Sequence, residues 1–389
     1  MVSISSDLRA SLLDRTTLAF LRKLDAQNGP PLNTLTPDAA RKVLVTIQES
    51  VNVKKLPADI EDRKIPGGPT GEISLRIVRP AGVAGALPGI VYCHGGGWVL
   101  GDKETHDRLV REIANGVQAT VVFVDYDRSP EVHYPVALEQ EYAALLWTAE
   151  QGTTVGVNPS RLAVFGDSVG GNMATVLTLL AKERGGPKLA AQVLFYPVTD
   201  AGMNTNSYQQ YGDGSFWLSA AAMKWFWDCY APDVELRKDY HLSPLRASLE
   251  KLHGLPPAMI IVDENDVLRD EGEAYAHKLQ DAGVSVAAMR VLGTIHDFAL
   301  LNPIAETPPV RSGIAQAIWG YAKFSANHLL RSVRRHMDNP PIIHVPYLSS
   351  EITVCNLPLR KRRTPSTSPS ARPWMIKGPA KALACSRCR

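Results

Sequence analysis

From residue 72 onward, short apolar runs rich in β-branched and aromatic residues alternate with stretches of helical period, and this alternation constrains the fold more than any other feature of the chain. Strands that follow one another through helical crossovers run parallel. The chain is therefore expected to form an α/β fold, a mostly parallel central sheet with helices on both faces. Candidate strands cover residues 72–80, 89–95, 120–126, 161–168, 191–197, 258–266 and 286–293. Helical patterns lie near 105–117, 137–151, 171–184 and 271–282, and a long one near 309–330 closes the series. The run ALEQEYAALLW carries the apolar spacing of a buried helix face, and Gly283 in DAGVSV reads as a helix stop.

Two stretches break the rhythm. Residues 1–60 read as helical, with Thr36-Pro37-Asp38 a good helix start because Thr can cap and Pro suits the first turn. Residues 200–255 hold the aromatic cluster SFWLS and MKWFWDCY. Both are assigned to a helical cap over one edge of the sheet. For any single ring, packing on the core is an equal alternative. The expected organisation is cap helices over 1–60, a catalytic domain over 61–335 with a cap insertion at 200–255, and a tail over 336–389. The tail reads PP, SS, LRKRRTPSTSPSARP and ACSRCR, which lacks apolar periodicity and is expected to be disordered. LRKRR suits a nuclear-localisation or anionic-surface patch, and Cys385 and Cys388 are too few to close a zinc site alone.

Residues 331–389 carry 12 Lys/Arg against 2 Asp/Glu, a net +10, which leaves 30 against 37, a net −7, for residues 1–330. A mildly acidic body gives no reason to expect nucleic acid as a partner. With 45% hydrophobic and 21% charged residues the composition is that of a soluble globular enzyme. No apolar run reaches the ~18 residues of a transmembrane helix, and charges interrupt the amphipathic start before it forms a signal-peptide core. The five cysteines lie at 93, 229, 355, 385 and 388, which is not a disulfide framework, so a reducing, cytoplasmic location is expected.

The strongest local signal is Gly166-Asp167-Ser168-Val169-Gly170-Gly171, set between the strand RLAVF and the helical run NMATVLTLLAKE. A serine on a sharp strand-to-helix turn needs small residues two positions before and after it, and in return its Oγ is exposed at a helix N-terminus. Upstream, His94-Gly95-Gly96-Gly97-Trp98 follows the strand GIVYC. Consecutive glycines let backbone N–H groups face a cavity, as stabilising a tetrahedral oxyanion requires. With the N–H of Val169 this loop is expected to make an oxyanion hole, His94 serving as a structural hydrogen-bonder. A phosphate-binding turn is the alternative, but no Lys-Ser/Thr pair follows.

A serine hydroxyl needs a base and an orienting carboxylate. His296 lies in GTIHDF just past the last candidate strand, and Asp266 ends the preceding one. Asp263, Glu264, Asp270 and Asp297 are rivals for the carboxylate; Asp270 and Glu271 better suit the first turn of the following helix. His106, His133, His241, His253 and His277 are read as surface or cap histidines.

At this point the chain resembles the hormone-sensitive-lipase family of α/β-hydrolase esterases, also called the HGGG esterases. The resemblance covers about residues 60–330 and rests on HGGGWVLGD (94–102), DYDRSPEVHYPVALEQEY (125–142), GDSVGGNMA (166–174), DENDVLRDEGEAYAHKL (263–279) and GTIHDF (293–298). It implies Ser168 as nucleophile, Asp266 as carboxylate, His296 as base, and Gly96, Gly97 and Val169 as oxyanion donors. It implies no metal or organic cofactor. DYDRSPE stands where members usually read DYRLAPE, and HDF where HGF is commoner.

The resulting expectation is a serine carboxylesterase acting on short- to medium-chain or aromatic esters through an acyl-enzyme. Trp98, Asp167, Phe216 and Trp217 are expected to line its pocket, with Trp225, Phe226 and Trp227 further cap aromatics. An acyltransferase, amidase or deacetylase using the same triad is the alternative, and a non-catalytic small-ligand receptor a third reading. The expected partner is a small-molecule ester, and a homodimer is possible.

Overall fold

The structure is a computed structural model that describes the backbone of residues 6–338 and the side chains of residues 9–325. Three helices come first: α1 (Ser6–Leu12), α2 (Arg15–Gln27) and α3 (Pro37–Glu49). Asp14 caps α2 through the N–H groups of Thr16 and Thr17, and Thr36 caps α3 at Ala39 N with Pro37 in the first turn. Each such cap contributes about 1 kcal/mol to its helix. Then follow β1 (Ala58–Pro66), β2 (Glu72–Pro80), β3 (Leu87–Cys93), α4 (Asp107–Val117), β4 (Thr120–Asp125), α5 (Val136–Gln151), β5 (Val157–Asp167), α6 (Val169–Glu183) and β6 (Leu189–Phe195). The second half holds α7 (Asn206–Tyr211), α8 (Ala220–Tyr230), α9 (Leu249–Leu252), β7 (Ala258–Asn265), α10 (Arg269–Asp281), β8 (Val286–Ile295) and α11 (Pro308–Asp338). Residues 336–389, read from sequence as a tail, lie outside the described residues except where α11 runs on to Asp338.

The eight strands form one sheet in the order β1-β2-β4-β3-β5-β6-β7-β8. Strands β3 to β8 are parallel, and β2 is antiparallel to both β1 and β4. Central β6 is buried at every position because helices cover both faces, which is why its sequence, LAAQVLF, is nearly continuous in apolar residues. One strand departs from the sequence expectation. Residues 58–66 form β1, across the boundary drawn at residue 60, because an edge strand facing water on both sides carries charges (ADIEDRK) instead of an apolar alternation.

Parallel strands place their carboxyl ends on one rim, and the ligand crevice of an open α/β sheet lies there. The loops after β3, β5, β7 and β8 carry His94–Gly97, Ser168, Asp266 and His296 respectively. Two ties fasten neighbouring elements to the loop after β8. The buried Arg108 of α4 donates to the carbonyls of Ala299 (2.6 Å) and Leu300 (2.9 Å) and to Asn302 Oδ1 (2.8 Å). Gln48 of α3 donates to the carbonyls of Thr105 (2.7 Å) and Leu300 (3.0 Å), and its own Oε1 accepts from Asn302 N (2.9 Å). Among the described residues no helix is long and apolar enough to cross a membrane, and Cys93 and Cys229 are free thiols.

Candidate active site

Ser168 stands between β5 and α6 with φ 57° and ψ −122°, a conformation L-residues avoid at a cost of order 1–3 kcal/mol. The turn is possible because Gly170 is in the next helical turn: a Cβ there would run into the carbonyl of Cys93. The Ser168 N–H donates to Phe195 O at 2.9 Å, and its carbonyl accepts from Asn172 and Val198, so the strained residue is fixed on both sides.

The imidazole of His296 lies 3.0 Å from Ser168 Oγ through Nε2 and 2.8 Å from Asp266 Oδ2 through Nδ1. A carboxylate can only accept, so Nδ1 carries the proton and Nε2 presents its lone pair to the serine hydroxyl. The other oxygen of Asp266 accepts from Leu268 N at 3.1 Å, and the ring of Tyr196 packs edge-on against the imidazole at 4.9 Å between centroids. Burial alone pushes the His296 imidazole down, but the Asp266 and Asp297 carboxylates outweigh it and lift it to about 9. Asp297, considered from sequence only as a rival to Asp266, has Oδ1 3.5 Å from His296 Nε2 and accepts from Trp217 Nε1 at 3.0 Å.

The glycine loop is held from below by Asp167, which is wholly buried. Its Oδ1 accepts from Tyr92 Oη (2.8 Å) and from Gly95 N (3.1 Å), and its Oδ2 faces His106 Nε2 at 3.4 Å. Burial opposes charge on Asp167, yet the neighbouring His106 and Tyr92 keep its carboxyl below the usual range. His106 therefore corrects the sequence reading: it is a buried partner of Asp167, not a surface histidine. His94 donates through Nδ1 to the carbonyl of Gly95 (2.8 Å) and stacks on Tyr126 at 4.0 Å. Burial, then the nearby His106, pushes its imidazole down to about 3, which keeps it neutral. Gly95 and His94 are thus engaged in supporting the loop. Among the described residues the N–H groups of Gly96 and Gly97 donate to no acceptor, and Val169 opens α6, where the first N–H groups have no intrahelical partner. Gly97 has φ 64°, and a Cβ on it would run into the ring of Phe226.

A cavity of about 790 Å³ opens onto Ser168, His296, Gly96 and Gly97. Its walls come from α2, α3 and the segment between them (Leu21, Leu24, Leu32, Leu35, Leu44, Ile47) and from the insertion (Trp217, Leu218, Met223, Phe226). Of the four residues expected to line it, Trp217 does so and Trp98, Asp167 and Phe216 do not. Trp98 turns away beneath α8, stacked on Tyr230 at 4.1 Å; Phe216 packs edge-on against Tyr211; Asp167 sits below the glycine loop. Phe226 lines the cavity, whereas Trp227 is buried against Trp98. The leucines of the N-terminal helices were not singled out from sequence, where their spacing reads as ordinary amphipathic helix.

One group of potential metal ligands occurs among the described residues: Asp263, Asp266 and His296, with polar atoms within 4.8 Å of one another. A cation on His296 Nδ1 would move the ring proton to Nε2 and remove the acceptor facing Ser168, so the group suits proton chemistry better than metal binding.

Comparison with known proteins agrees with this architecture. Residues 90–300 match the family described by the α/β-hydrolase fold. A thermostable esterase from Pseudomonas putida is 50% identical, with a TM-score of 0.77 over 79% of this chain and 95% of that one. The carboxylic ester hydrolase LipN of Mycobacterium tuberculosis is 39% identical over 306 residues, 77% of this chain and 76% of LipN. An ethyl acetate hydrolase of Pseudomonas putida is 35% identical over 298 residues, 74% of this chain and 92% of that protein. On these motifs, this fold and these relatives, the chain belongs to the hormone-sensitive-lipase-like esterases, the ester-bond hydrolases of the α/β-hydrolase fold.

Proposed function

We propose that the protein is a serine carboxylesterase that cleaves short- to medium-chain or aromatic carboxylic esters through an acyl-enzyme on Ser168. The observation that carries this reading is the 3.0 Å contact between Ser168 Oγ and His296 Nε2 at the floor of an apolar cavity. His296 takes the hydroxyl proton as Oγ attacks the ester carbonyl, and the N–H groups of Gly96, Gly97 and Val169 receive the developing oxyanion. Asp266 keeps the Nδ1–H tautomer and stabilises the imidazolium. His296 then gives its proton to the leaving alcohol, and the same steps with water as nucleophile release the acid. The cavity volume lies within the range of small-molecule sites, and leucine, methionine and phenylalanine walls favour an uncharged acyl group.

The test is hydrolysis of p-nitrophenyl esters from acetate to palmitate, followed by mass spectrometry after treatment with a fluorophosphonate. Turnover is expected to be greatest on short and medium chains, with the phosphonyl adduct on the peptide that contains Ser168. A folded protein that turns over none of the series defeats the reading. Acyl transfer to an added alcohol in preference to water would make it an acyltransferase.

The pH dependence follows from the base. His296 accepts a proton only when neutral, and its carboxylate neighbours favour the charged form, so kcat/KM is expected to rise with pH along a limb centred above the ordinary histidine value of 6.5. A profile measured from about pH 5 to pH 10 checks this. A midpoint at or below the ordinary value would mean that the two carboxylates do not act on the base as the geometry implies.

A further inference from the structure

Behind the triad lies a second carboxyl that the mechanism leaves without a part. Asp263 stands near the end of β7, fully buried, and neither of its oxygens has a hydrogen-bond partner among the described residues. Its polar atoms lie within 4.8 Å of those of Asp266 and His296. Among the described residues the titratable groups around it are Asp266 in the loop after β7, His296 and Asp297 after β8, and Tyr196 after β6, whose hydroxyl also lacks a partner among them. No lysine or arginine pairs with it among the described residues. An ionised Asp263 would place a second charge beside Asp266, this one with no donor to satisfy it. A protonated Asp263 has the acceptor it needs in the neighbouring carboxylate.

Building on the hydrolase reading above, we propose that Asp263 is a positioning residue that remains protonated and donates its O–H to the Asp266 carboxylate, so that the two carboxyls behind His296 together carry one negative charge. The shared proton stays between the two carboxyls throughout turnover. The catalytic proton moves separately, from Ser168 Oγ to His296 Nε2 and on to the leaving alcohol. Burial, and after it the nearness of Asp266 and Asp297, pushes the Asp263 carboxyl well above the ordinary carboxylate range. Two carboxyls sharing a proton titrate as a pair, and the donated hydrogen bond draws charge from Asp266. The imidazolium is therefore stabilised less than a lone Asp266 charge would stabilise it, which keeps more of His296 in its basic form near neutral pH.

The experiment compares Asp263→Asn, whose amide still donates but cannot ionise, with Asp263→Ala, which donates nothing. In the alanine variant the acid limb of kcat/KM is expected to move up by about half to one pH unit, and in the asparagine variant to stay within about 0.3 unit of wild type. An alanine limb that stays in place or moves down overturns the proposal, as does an asparagine limb that moves as far as the alanine one. Infrared difference spectra of the Ser168→Ala protein, with and without Asp263→Asn, give a readout that does not depend on turnover. The carbonyl band of a protonated carboxylic acid is expected to be lost with Asp263. The subtraction separates it from Glu141 and Glu271, which burial also pushes well above the ordinary range. An unchanged band overturns the proposal even if Asp263→Ala fails to fold. Wild type that hydrolyses no ester defeats the esterase reading alone, because the infrared result still decides the state of Asp263.

Discussion

Ser168→Ala is expected to lower kcat/KM for p-nitrophenyl acetate by about 10⁴-fold or more while leaving the protein folded. The size of the loss follows from Ser168 Oγ being the hydroxyl that, among the described residues, hydrogen-bonds His296 Nε2, so removing it leaves only the oxyanion donors and the cavity to assist attack by water. The fold should not suffer. Among the described residues the side chain makes no other hydrogen bond, and the turn is held by backbone bonds to Phe195, Asn172 and Val198. Alanine also has the smallest Cβ substituent, although φ 57° remains as strained for it as for serine. Steady-state kinetics and a thermal melt on the same preparation check both halves. Residual activity within tenfold of wild type would mean that another group attacks the ester.

Asp266→Asn is the second large effect, about 10³–10⁴-fold in kcat. The amide matches the carboxylate in shape, so the loss comes from the proton on the imidazole. An amide –NH₂ turned toward Nδ1 requires that nitrogen to accept, which drives the ring proton to Nε2, where it points at Ser168 Oγ and cannot remove a proton from it. Leu268 N, which Asp266 Oδ1 accepts at 3.1 Å, fixes the oxygen on that side and so favours the harmful orientation. Comparing Asp266→Asn with Asp266→Ala tests this. If the tautomer is the cause, the asparagine variant is no faster than the alanine variant, although it fills the site better. An asparagine variant close to wild type would sink the assigned role.

The contrast between what the sequence predicts and what the structure holds has a physical pattern. Strands β3 to β7 were readable because buried parallel strands need continuous apolar runs, and the loops after β3 and β5 because their turns need glycine. Strand β1 was not, because an edge strand bathed in water on both faces has no apolar alternation to read. The chemistry was legible where a motif forces a backbone geometry, at Ser168 and Gly96–Gly97. It was illegible where the role depends on what lies across the fold. His106 looks like any helix-start histidine until β5 brings Asp167 beneath it, and Arg108 looks like a surface cation until the loop after β8 closes over it. Trp98 failed as a pocket residue for a related reason: its place in the motif fixes its backbone, but α8 decides where the ring goes.

The cavity walls contributed by α2 and α3 also bear on the order in which the protein can be built. These helices precede every strand of the sheet in the chain, yet Gln48 finds its partners at Thr105, Leu300 and Asn302, a separation of 252 residues to Leu300. Contacts so distant in sequence close late, because the intervening chain must be ordered before they are rewarded. Leu21, Leu24, Leu44 and Ile47 must therefore wait, with apolar faces uncovered, until nearly the whole sheet has been synthesised. An interrupted chain that ends before residue 296 lacks the base and also carries an unseated pair of apolar helices, so incomplete translation is expected to yield aggregation-prone fragments.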